Sequence, residues 1–443
     1  MRTRAASLLL LVAPHAQAHQ LRLARAQLLM SPRRLVRSPD AHTRGAIRAD
    51  ERQPVSPAEP AASARKRAPR AGDGAPPDES VAKRAMPAAS KKRAAAAATA
   101  EAAMPVAEAA PAAAGAKLSR AGQLAARALV PRALTPRRAP PEKADDSLTL
   151  VSWNVGGLRA WLADAARRAD LASTALAACP NGPDIIFLLE TKLQPGAMEE
   201  QAREALGEAL EGYDAHFFSS SGAKKGYSGV CALVRRACQL PLEVVRGIGE
   251  CDDEGRAITL RTARPGCAPL DVVGAYVPNS GEGLKRLDYR VGEWDPALRR
   301  HVRGAHADGR AVCVIGDLNV AHLDADIWNW GESASKNKAL EKGAGLTPQE
   351  RASFATLLAE CGLVDGFRAL HPDASGCFSY WSVRASGRPV NRGLRLDYAL
   401  VTAAMASPDE ATSGWALHDC FILDELNTRG DHAAVAITLV SRA

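Results

Sequence analysis

Polar residues follow the ends of several apolar, β-rich segments, and their types suit catalysis. The set contains four carboxylates, three amides, one phenol and one imidazole. Taken singly, each is more often a turn or cap residue, because Asn and Asp side chains bond to nearby backbone in tight turns. Together they could converge on one edge of a sheet. They are Asn154, Glu190, Tyr276, Asn279, Asp317, Asn319, Asp397, Asp431 and His432.

Side chains of these types suit hydrolysis of a phosphodiester. That reaction needs a cation that neutralises the phosphate, a group that orients water, and donors for the charge that develops on phosphorus. Oxygen ligands such as Glu190 favour Mg²⁺ or Mn²⁺, whereas zinc prefers His and Cys. His432 beside an acidic partner can keep its proton and stabilise the transition state.

The elements that must position these residues are short strands and a few helices. Eight segments predict strands because they are apolar, rich in β-branched residues and bounded by Gly, Pro or Asp. They are Leu148–Val155, Asp184–Leu189, Gly229–Val234, Ala257–Thr262, Leu270–Val277, Ala311–Leu318, Leu396–Val401 and Ala433–Val440. Four segments predict helices: Leu158–Ala178, Met198–Leu210, Leu284–Arg303 and Pro348–Cys361. Few helices among many strands favour an α/β fold with two packed sheets over a single doubly wound sheet.

One predicted helix has a clear start. Thr347 can cap it, Pro348 suits the first helical position, and Glu350 completes a capping box.

Composition changes abruptly near residue 146. Residues 1–146 contain no aromatic residue, and all seven Trp, six Tyr and seven Phe follow. Residues 1–146 also hold 26 Lys and Arg against 12 Asp and Glu, which is a net charge of 26 − 12 = +14. The whole chain has a net charge of +8, so residues 147–443 carry 8 − 14 = −6. We therefore predict a disordered Ala/Pro/Arg/Lys-rich leader over 1–146 and a catalytic domain over 147–443. The leader could hold nucleic acid or an acidic membrane non-specifically, or be a solvated tail.

The leader and the cysteines bear on the protein's location. The first 39 residues contain seven Arg and no acid, which is typical of a transit peptide to a mitochondrion or plastid. The clusters Arg65–Arg67 and Lys91–Arg93 could instead direct import to the nucleus. The nine Cys form no CxxC pair, which favours reduced thiols in an intracellular protein. The apolar run Leu8–Val12 is too short to span a bilayer, so we expect no membrane partner.

Nine motifs in order resemble the exonuclease III family, the abasic-site endonucleases of the endonuclease/exonuclease/phosphatase superfamily. The resemblance covers about residues 148–441. The motifs are Leu150–Trp161, Glu190–Lys192, Lys225–Val230, Glu254–Arg256, Tyr276–Asn279, Gly316–His322, Leu346–Arg351, Arg395–Tyr398 and Gly430–His432.

The resemblance implies a four-layer α-β-β-α sandwich of two mixed sheets and a metal-assisted in-line displacement. It implies that Glu190 is the principal Mg²⁺ ligand, with Asn154 and Asp431 near the metal and Mn²⁺ able to substitute. It further implies that Asp317 orients or deprotonates the attacking water. Asn319 would stand beside Asp317, His432 would contact the phosphate and pair with Asp397, and the phosphate's shell would include Tyr276 and Asn279.

The implied substrate is double-stranded DNA with an abasic site, cut by a monomer 5′ to the lesion to leave a 3′-hydroxyl and a 5′-deoxyribose phosphate. Some 3′→5′ exonuclease or 3′-phosphodiesterase activity could accompany this cut. A flipped-out baseless sugar would occupy an apolar pocket, because a sugar without its base costs less to extrude. The pocket residues would be Tyr380, Trp381, Leu394 and Leu396. Ordinary core packing is the alternative for Tyr380 and Trp381.

The sequence departs from the family's pattern at four places. Gly156 stands where the family usually has Asn or Asp, which predicts weaker Mg²⁺ affinity. Leu189 replaces a usual Gln beside Glu190. Glu282 places an acid at a position that faces DNA in related enzymes. The segment Asp326–Gly345 is somewhat longer than usual and carries two tryptophans. It is either an added loop that contacts DNA or a lineage-specific insertion, and we slightly favour the insertion.

Two other functions are consistent with some of these residues. Another phosphoesterase of the superfamily would share the Asn, Glu, Asp–x–Asn and Asp–His elements, but relatives of that kind typically lack the Trp153–Arg159, Lys225–Val230 and Leu346–Arg351 motifs. A catalytically idle DNA-binding or redox module would explain Gly156 but not the retention of the other polar residues.

Overall fold

The computed structural model describes residues 128–141, 146–222, 224–407, 414–424 and 429–442. Within these residues, twelve strands form two six-stranded sheets. The strands are β1 Ser147–Asn154, β2 Ile185–Leu189, β3 Tyr213–Phe218, β4 Val230–Arg235, β5 Leu242–Arg246, β6 Ala257–Thr262, β7 Leu270–Tyr276, β8 Ala311–Asp317, β9 Leu363–Asp365, β10 Asp397–Thr402, β11 Trp415–Leu423 and β12 Ala434–Ser441.

The helices lie between the strands along the chain. They are α1 Leu158–Leu162, α2 Ala165–Leu176, α3 Ala197–Ala209, α4 Leu287–Tyr289, α5 Asp295–Ala307, α6 Ala334–Leu340, α7 Pro348–Glu360, α8 Gly366–Leu370 and α9 Ala403–Ala406. A π-helical turn over Arg290–Trp294 joins α4 to α5. No helix in the described part of the chain is long and apolar enough to cross a membrane.

Both sheets are mixed. The first has the order β11-β12-β1-β2-β4-β3 and the second has the order β5-β6-β7-β8-β10-β9. The pairs β1–β2 and β7–β8 are parallel, and the neighbours of these pairs are antiparallel. The predicted fold class of two packed mixed sheets flanked by helices is therefore confirmed.

The main core lies between the sheets, where side chains such as Leu150, Phe187 and Ile315 are fully buried. The sheets approach closely at Gly274, where an added Cβ would lie 2.0 Å from the Phe187 ring. Two further apolar clusters join the outer face of each sheet to its helices, for example through Leu171 of α2. This arrangement gives the four layers, since each sheet buries both of its faces.

All eight predicted strands are present, and the four that the pattern missed are β3, β5, β9 and β11. These four are the edge strands of the two sheets. Strand β3 alternates between buried and more exposed residues, β5 contains only half-buried and exposed residues, and β9 has three residues. Strand β11 carries a bulge between Leu417 and Asp419. Edge strands lack the continuous apolar run that marks a central strand, which is why the prediction passed over them.

Two of the predicted helices differ from the observed ones. The single helix predicted over Leu158–Ala178 is two helices, because the Asp164 side chain accepts a hydrogen bond from Arg167 N and starts α2. The helix predicted from Leu284 begins at Leu287 and contains the π-helical turn. The capping box of α7 is confirmed by the reciprocal bonds between Thr347 and Glu350.

The structure places part of the predicted leader on the catalytic domain. Residues 128–141 bond to the loop between α8 and β10 and to β11. The predicted targeting signals, which fall within residues 1–127, lie outside the described residues.

Candidate active site

The polar residues meet at one edge of the sandwich because of strand direction. The parallel strands β1 and β2 end at Asn154 and immediately before Glu190, and the parallel strands β7 and β8 end at Tyr276 and Asp317. Strand β10 runs antiparallel to β8 and begins at Asp397, which pairs with Asp317. Strand β12 runs antiparallel to β1 and begins just after His432. The carboxyl ends of four strands and the amino ends of two therefore share one edge.

Asp317 is the centre of a hydrogen-bond network that links the two sheets. Asn154 donates through Nδ2 to Asp317 Oδ2 at 2.9 Å, although the two residues are 163 positions apart. The backbone nitrogen of Asn319 donates to Asp317 Oδ1 at 2.9 Å. Asp317 is 1% exposed, and this burial raises its pKa to about 7, because desolvation penalises the charged carboxylate. A carboxylate with that pKa can accept a proton from water near neutral pH.

His432 and Asp397 form a buried pair beside Asp317. His432 Nδ1 lies 2.8 Å from Asp397 Oδ2, and His432 Nε2 lies 3.8 Å from Asp317 Oδ2. Burial alone lowers the pKa of His432, but the carboxylates of Asp397 and Asp317 outweigh it and raise the pKa to about 10. His432 is therefore an imidazolium at neutral pH, with Nδ1 donating to Asp397 and Nε2 on the side of Asp317.

Glu190 and Asp431 are the carboxylates that the scaffold leaves available. Among the described residues, Glu190 bonds only to Lys192, whose Nζ lies 2.8 Å from Oε1. Lys192 Nζ also donates to the carbonyl of Gly156 at 3.0 Å. The Asp431 carboxylate has no hydrogen bond or ion pair within the described segments. By contrast, the buried Glu350 accepts from several donors at once.

Gly156 adjoins Asp431. An added Cβ at Gly156 would lie 3.9 Å from Asp431 Oδ1, an ordinary van der Waals distance. The φ angle of +61° at Gly156 is left-handed, a conformation that Asn and Asp adopt more readily than other residues with side chains. An acidic side chain at this position would therefore stand next to Asp431.

The donor set fits a hard divalent cation. Glu190 and Asp431 supply carboxylate oxygens, and Asn154 lies next to Gly156, whose backbone nitrogen bonds to the Asn154 amide oxygen at 3.0 Å. Glu190 has a φ of +56°, an uncommon backbone that is concentrated at functional sites. Asp317, Asp397 and His432 also offer atoms within 4.8 Å of one another. His432 bonds to Asp397 and lies 3.8 Å from Asp317, which in turn bonds to Asn154, so these three residues are suited to proton transfer and charge stabilisation.

The buried Asn319 and the exposed Asn279 are held by a second set of contacts. Asn279 Nδ2 donates to Asn319 Oδ1 at 2.8 Å. Arg290, in the π-helical turn, donates to the carbonyls of Leu318 and Asn319 and to Glu350. The π-helical turn and the capping box of α7 thus fix the loop that follows β8.

Tyr276 lies 8% exposed at the end of β7. Burial, and then the negative charge of Glu190, raise the pKa of Tyr276 well above its usual value, so its hydroxyl stays protonated and can donate. The Arg256 guanidinium lies 4.9 Å from the Tyr276 ring centroid, bonds to the Tyr276 carbonyl at 3.0 Å and donates to Tyr227 Oη at 2.8 Å. The Lys225–Val230 and Glu254–Arg256 motifs therefore hold Tyr276 in place.

The profile of the Endonuclease/Exonuclease/phosphatase family matches residues 151–432. An exodeoxyribonuclease of Bacillus subtilis is 38% identical over 268 residues, which cover 60% of this chain and 92% of that protein. The DNA repair nuclease APEX1 of Danio rerio is 37% identical over 265 residues, 58% of this chain and 74% of that protein.

A solved structure gives the same result. The AP endonuclease LMAP from Leishmania major has a TM-score of 0.59 and 29% identity, over 70% of this chain and 93% of that one. This chain belongs to the endonuclease/exonuclease/phosphatase family. The resemblance to exonuclease III and its abasic-site relatives is confirmed, and the chain is a nuclease of this family.

An apolar cluster lies beside His432. The Tyr380 ring centroid lies 5.0 Å from that of His432, and Tyr380 pairs with Leu394 as an isolated bridge. Leu396 is 6% exposed in the same cluster, against which Leu394 and Tyr380 pack. Trp381 is 3% exposed in the inter-sheet core instead, with Nε1 bonded to Asn391. The structure thus groups Tyr380, Leu394 and Leu396 near the catalytic residues and places the Trp381 ring behind them.

The structure defines the environment of the positions that we predicted to depart from the family's pattern. Leu189 is fully buried in the inter-sheet core, and Glu282 is exposed in a short 3-10 turn after Asn279. From the longer Asp326–Gly345 segment, Trp330 packs against the cluster that contains Leu396. That segment therefore supports the wall of the candidate pocket.

Sequence reasoning gave no role to Lys192 or Arg290. Lys192 is two residues from Glu190 in the Glu190–Lys192 motif, so the sequence could have indicated that the two side chains interact. Arg290 had no such signal, because the π-helical turn that directs its side chain toward the carbonyl of Asn319 is not visible in the residue pattern.

Proposed function

We propose that this protein is a Mg²⁺-dependent endonuclease of DNA repair that cuts the phosphodiester 5′ to an abasic site. The main support for this proposal is that Asp317, Asn154 and the His432–Asp397 pair lie together at one edge of the sandwich. Two carboxylates that could bind a cation, Glu190 and Asp431, lie at the same edge. The relatives support DNA as the substrate, since they are named as an exodeoxyribonuclease and a DNA repair nuclease. The apolar cluster around Tyr380 supports selection of a sugar without its base.

The chain's own residues supply the proton transfer and orientation. Asp317 takes a proton from the attacking water, and Asn154 and Asn319 hold its carboxylate in a fixed orientation. The imidazolium of His432 donates to a phosphate oxygen as negative charge grows there. Attack on phosphorus breaks the bond to the 3′ oxygen, which takes a proton from solvent water and leaves as a 3′-hydroxyl. The phosphate stays attached to the 5′ oxygen of the baseless sugar.

A divalent cation would complete this site. Glu190 and Asp431 would hold it, with Asn154 nearby, and Lys192 would release Glu190 when the cation binds. When bound, Mg²⁺ would neutralise the phosphate and stabilise the negative charge of the leaving oxygen; Mn²⁺ is expected to substitute.

The test uses the full chain and a duplex with one tetrahydrofuran analogue of an abasic site. This analogue resists β-elimination, so a cut requires hydrolysis. We expect cleavage 5′ to the analogue in Mg²⁺, none in EDTA, and a loss of at least about 100-fold in Glu190→Gln and Asp317→Asn. The exposed Glu204→Gln and Asp308→Asn are matched controls and should retain activity.

Three outcomes would count against the proposal. Cleavage that continues in EDTA would refute the metal requirement. Equal cleavage of intact duplex would refute selection of the abasic site. A folded protein that binds the duplex but cuts neither substrate would instead favour a different phosphoester substrate or an idle binding module.

A further inference from the structure

Residues 128–141 precede the family match and cross the surface of the catalytic domain; we call them the N-terminal strap. Val130 N donates to the Val390 carbonyl at 3.1 Å, and Ala133 N donates to the Ser375 carbonyl at 2.8 Å. Val130 and Ala133 also pack against the inter-sheet core. Both backbone bonds reach the loop 371–396, which carries Tyr380.

The loop contacts the strap closely at Gly376. Gly376 has a φ of +68°, and an added Cβ there would lie 1.9 Å from the carbonyl oxygen of Pro131. A side chain at this position would therefore displace the strap, whatever its chemistry. The strap and the loop are fitted to each other at the level of the backbone.

We propose that the strap positions the two loops that carry Tyr380, Asp431 and His432, so that this part of the leader belongs to the catalytic unit. This inference rests on the nuclease function proposed above. Arg132 and Asn391 act as positioning residues, since neither contacts the Asp317 network in the structure. The two routes from the strap to the site begin at these residues.

The first route passes through Asn391. Its Nδ2 donates to the Val130 carbonyl at 3.2 Å and to the Gly376 carbonyl at 2.8 Å, while its Oδ1 accepts from Trp381 Nε1 at 3.2 Å. The backbone nitrogen of Trp381 donates to the Asp431 carbonyl at 2.8 Å. One side chain thus connects the strap to the residue that holds Asp431.

The second route passes through Arg132, which forms an ion pair with Asp424. The carbonyl of Asp424 accepts from Arg388 Nη2 at 2.9 Å, and Arg388 Nη1 donates to the Gly430 carbonyl at 3.2 Å. The same guanidinium lies 4.6 Å from the Trp381 ring centroid. Loss of the strap would leave the Asp424 carboxylate, which is 12% exposed, without its Arg132 partner and loosen both contacts of Arg388.

The test compares full-length variants in the tetrahydrofuran assay, well below the unfolding transition. We expect Arg132→Ala to lower kcat by about tenfold, because small displacements of positioned groups slow the reaction strongly. The exposed Arg138→Ala is the matched control: it removes the same charge from the strap, and we expect it to leave kcat unchanged. The double variant Arg132→Asp/Asp424→Arg, which reverses the direction of the ion pair, should recover most of the lost kcat.

Hydrogen exchange provides a readout that does not depend on activity. If the strap positions loop 371–396, amide exchange in that loop should be faster in Arg132→Ala than in Arg138→Ala. A lower Tm in Arg132→Ala with unchanged kcat and unchanged loop exchange would overturn the inference, since the strap would then only stabilise the fold. An equal loss in Arg138→Ala would also overturn it, because the strap would then act by attracting DNA. If the wild-type protein were inactive, the proposed function would fail, while loop exchange would still decide the role of the strap.

Discussion

Replacing Asp397 with asparagine would remove one negative charge from beside His432 while preserving the size of the side chain. Asp397 is 2% exposed and His432 is 5% exposed, so water and salt screen their interaction little. The 2.8 Å contact between Asp397 Oδ2 and His432 Nδ1 is a charge-assisted hydrogen bond. A bond of that kind contributes about 1.5–3 kcal/mol.

The same charge maintains the protonated state of His432. Its pKa of about 10 results from the carboxylates of Asp397 and Asp317, which outweigh the lowering effect of burial. Without the Asp397 charge, burial is opposed mainly by Asp317, so the pKa of His432 falls. If His432 stabilises the transition state as an imidazolium, a loss of about 1.5–3 kcal/mol corresponds to a decrease of roughly 10- to 160-fold in kcat/KM.

The assay is single-turnover cleavage of the tetrahydrofuran duplex by wild type and Asp397→Asn from about pH 6 to about pH 10. The decrease should grow with pH, because the variant loses its imidazolium at a lower pH than the wild type does. The exposed Asp373→Asn is a control for the general effect of removing one carboxylate. A variant with an unchanged rate and an unchanged alkaline limb would refute the reasoning, since His432 would then not act as a cation.

Three further predictions address the metal, the base and the DNA surface. Gly156→Asp should lower the Mg²⁺ concentration at half-maximal activity severalfold, because the new carboxylate would adjoin Asp431; an unchanged half-saturation in a Mg²⁺ titration would count against this. The wild-type rate should rise as pH increases through about 7, where Asp317 loses its proton, and fall near pH 10, where His432 does; a rate that is flat between about pH 6 and 8 would exclude Asp317 as the base. Glu282→Arg, at an exposed turn, should tighten duplex binding at low salt, with the gain shrinking as salt rises, and an anisotropy titration that shows no salt-dependent difference would place Glu282 away from DNA.

The central strands, and the polar residues that directly follow them, were predictable from the sequence because of the physics of buried sheets. A strand covered on both faces is a continuous apolar run, and β7 and β8 are buried at every position. Polar residues directly after such runs, such as Asp317, therefore stand out. Edge strands are short, bulged or half-exposed, and they escaped the same test.

The contacts of residues 128–141 with the folded domain were not predictable from composition. The strap has the same Pro- and Arg-rich composition as the rest of the leader. The change in composition at residue 146 therefore could not distinguish the strap from the residues before it. What distinguishes it is complementarity: the carbonyl of Pro131 faces Gly376, and Arg132 pairs with Asp424. Such matches join residues about 250 to 290 positions apart and leave no local signal.

By itself, the sequence determined which chemical groups are available, the order of the motifs and the two-sheet class of the fold. These depend on residue type, local spacing and apolar runs, all of which can be read along the chain. The tertiary structure alone decided that Asn154 hydrogen-bonds to Asp317 across the two sheets, and it gave the pairing of His432 with Asp397 its 2.8 Å geometry. The pKa of about 7 at Asp317 likewise results from burial and neighbouring charge, and these exist only once distant strands have packed together.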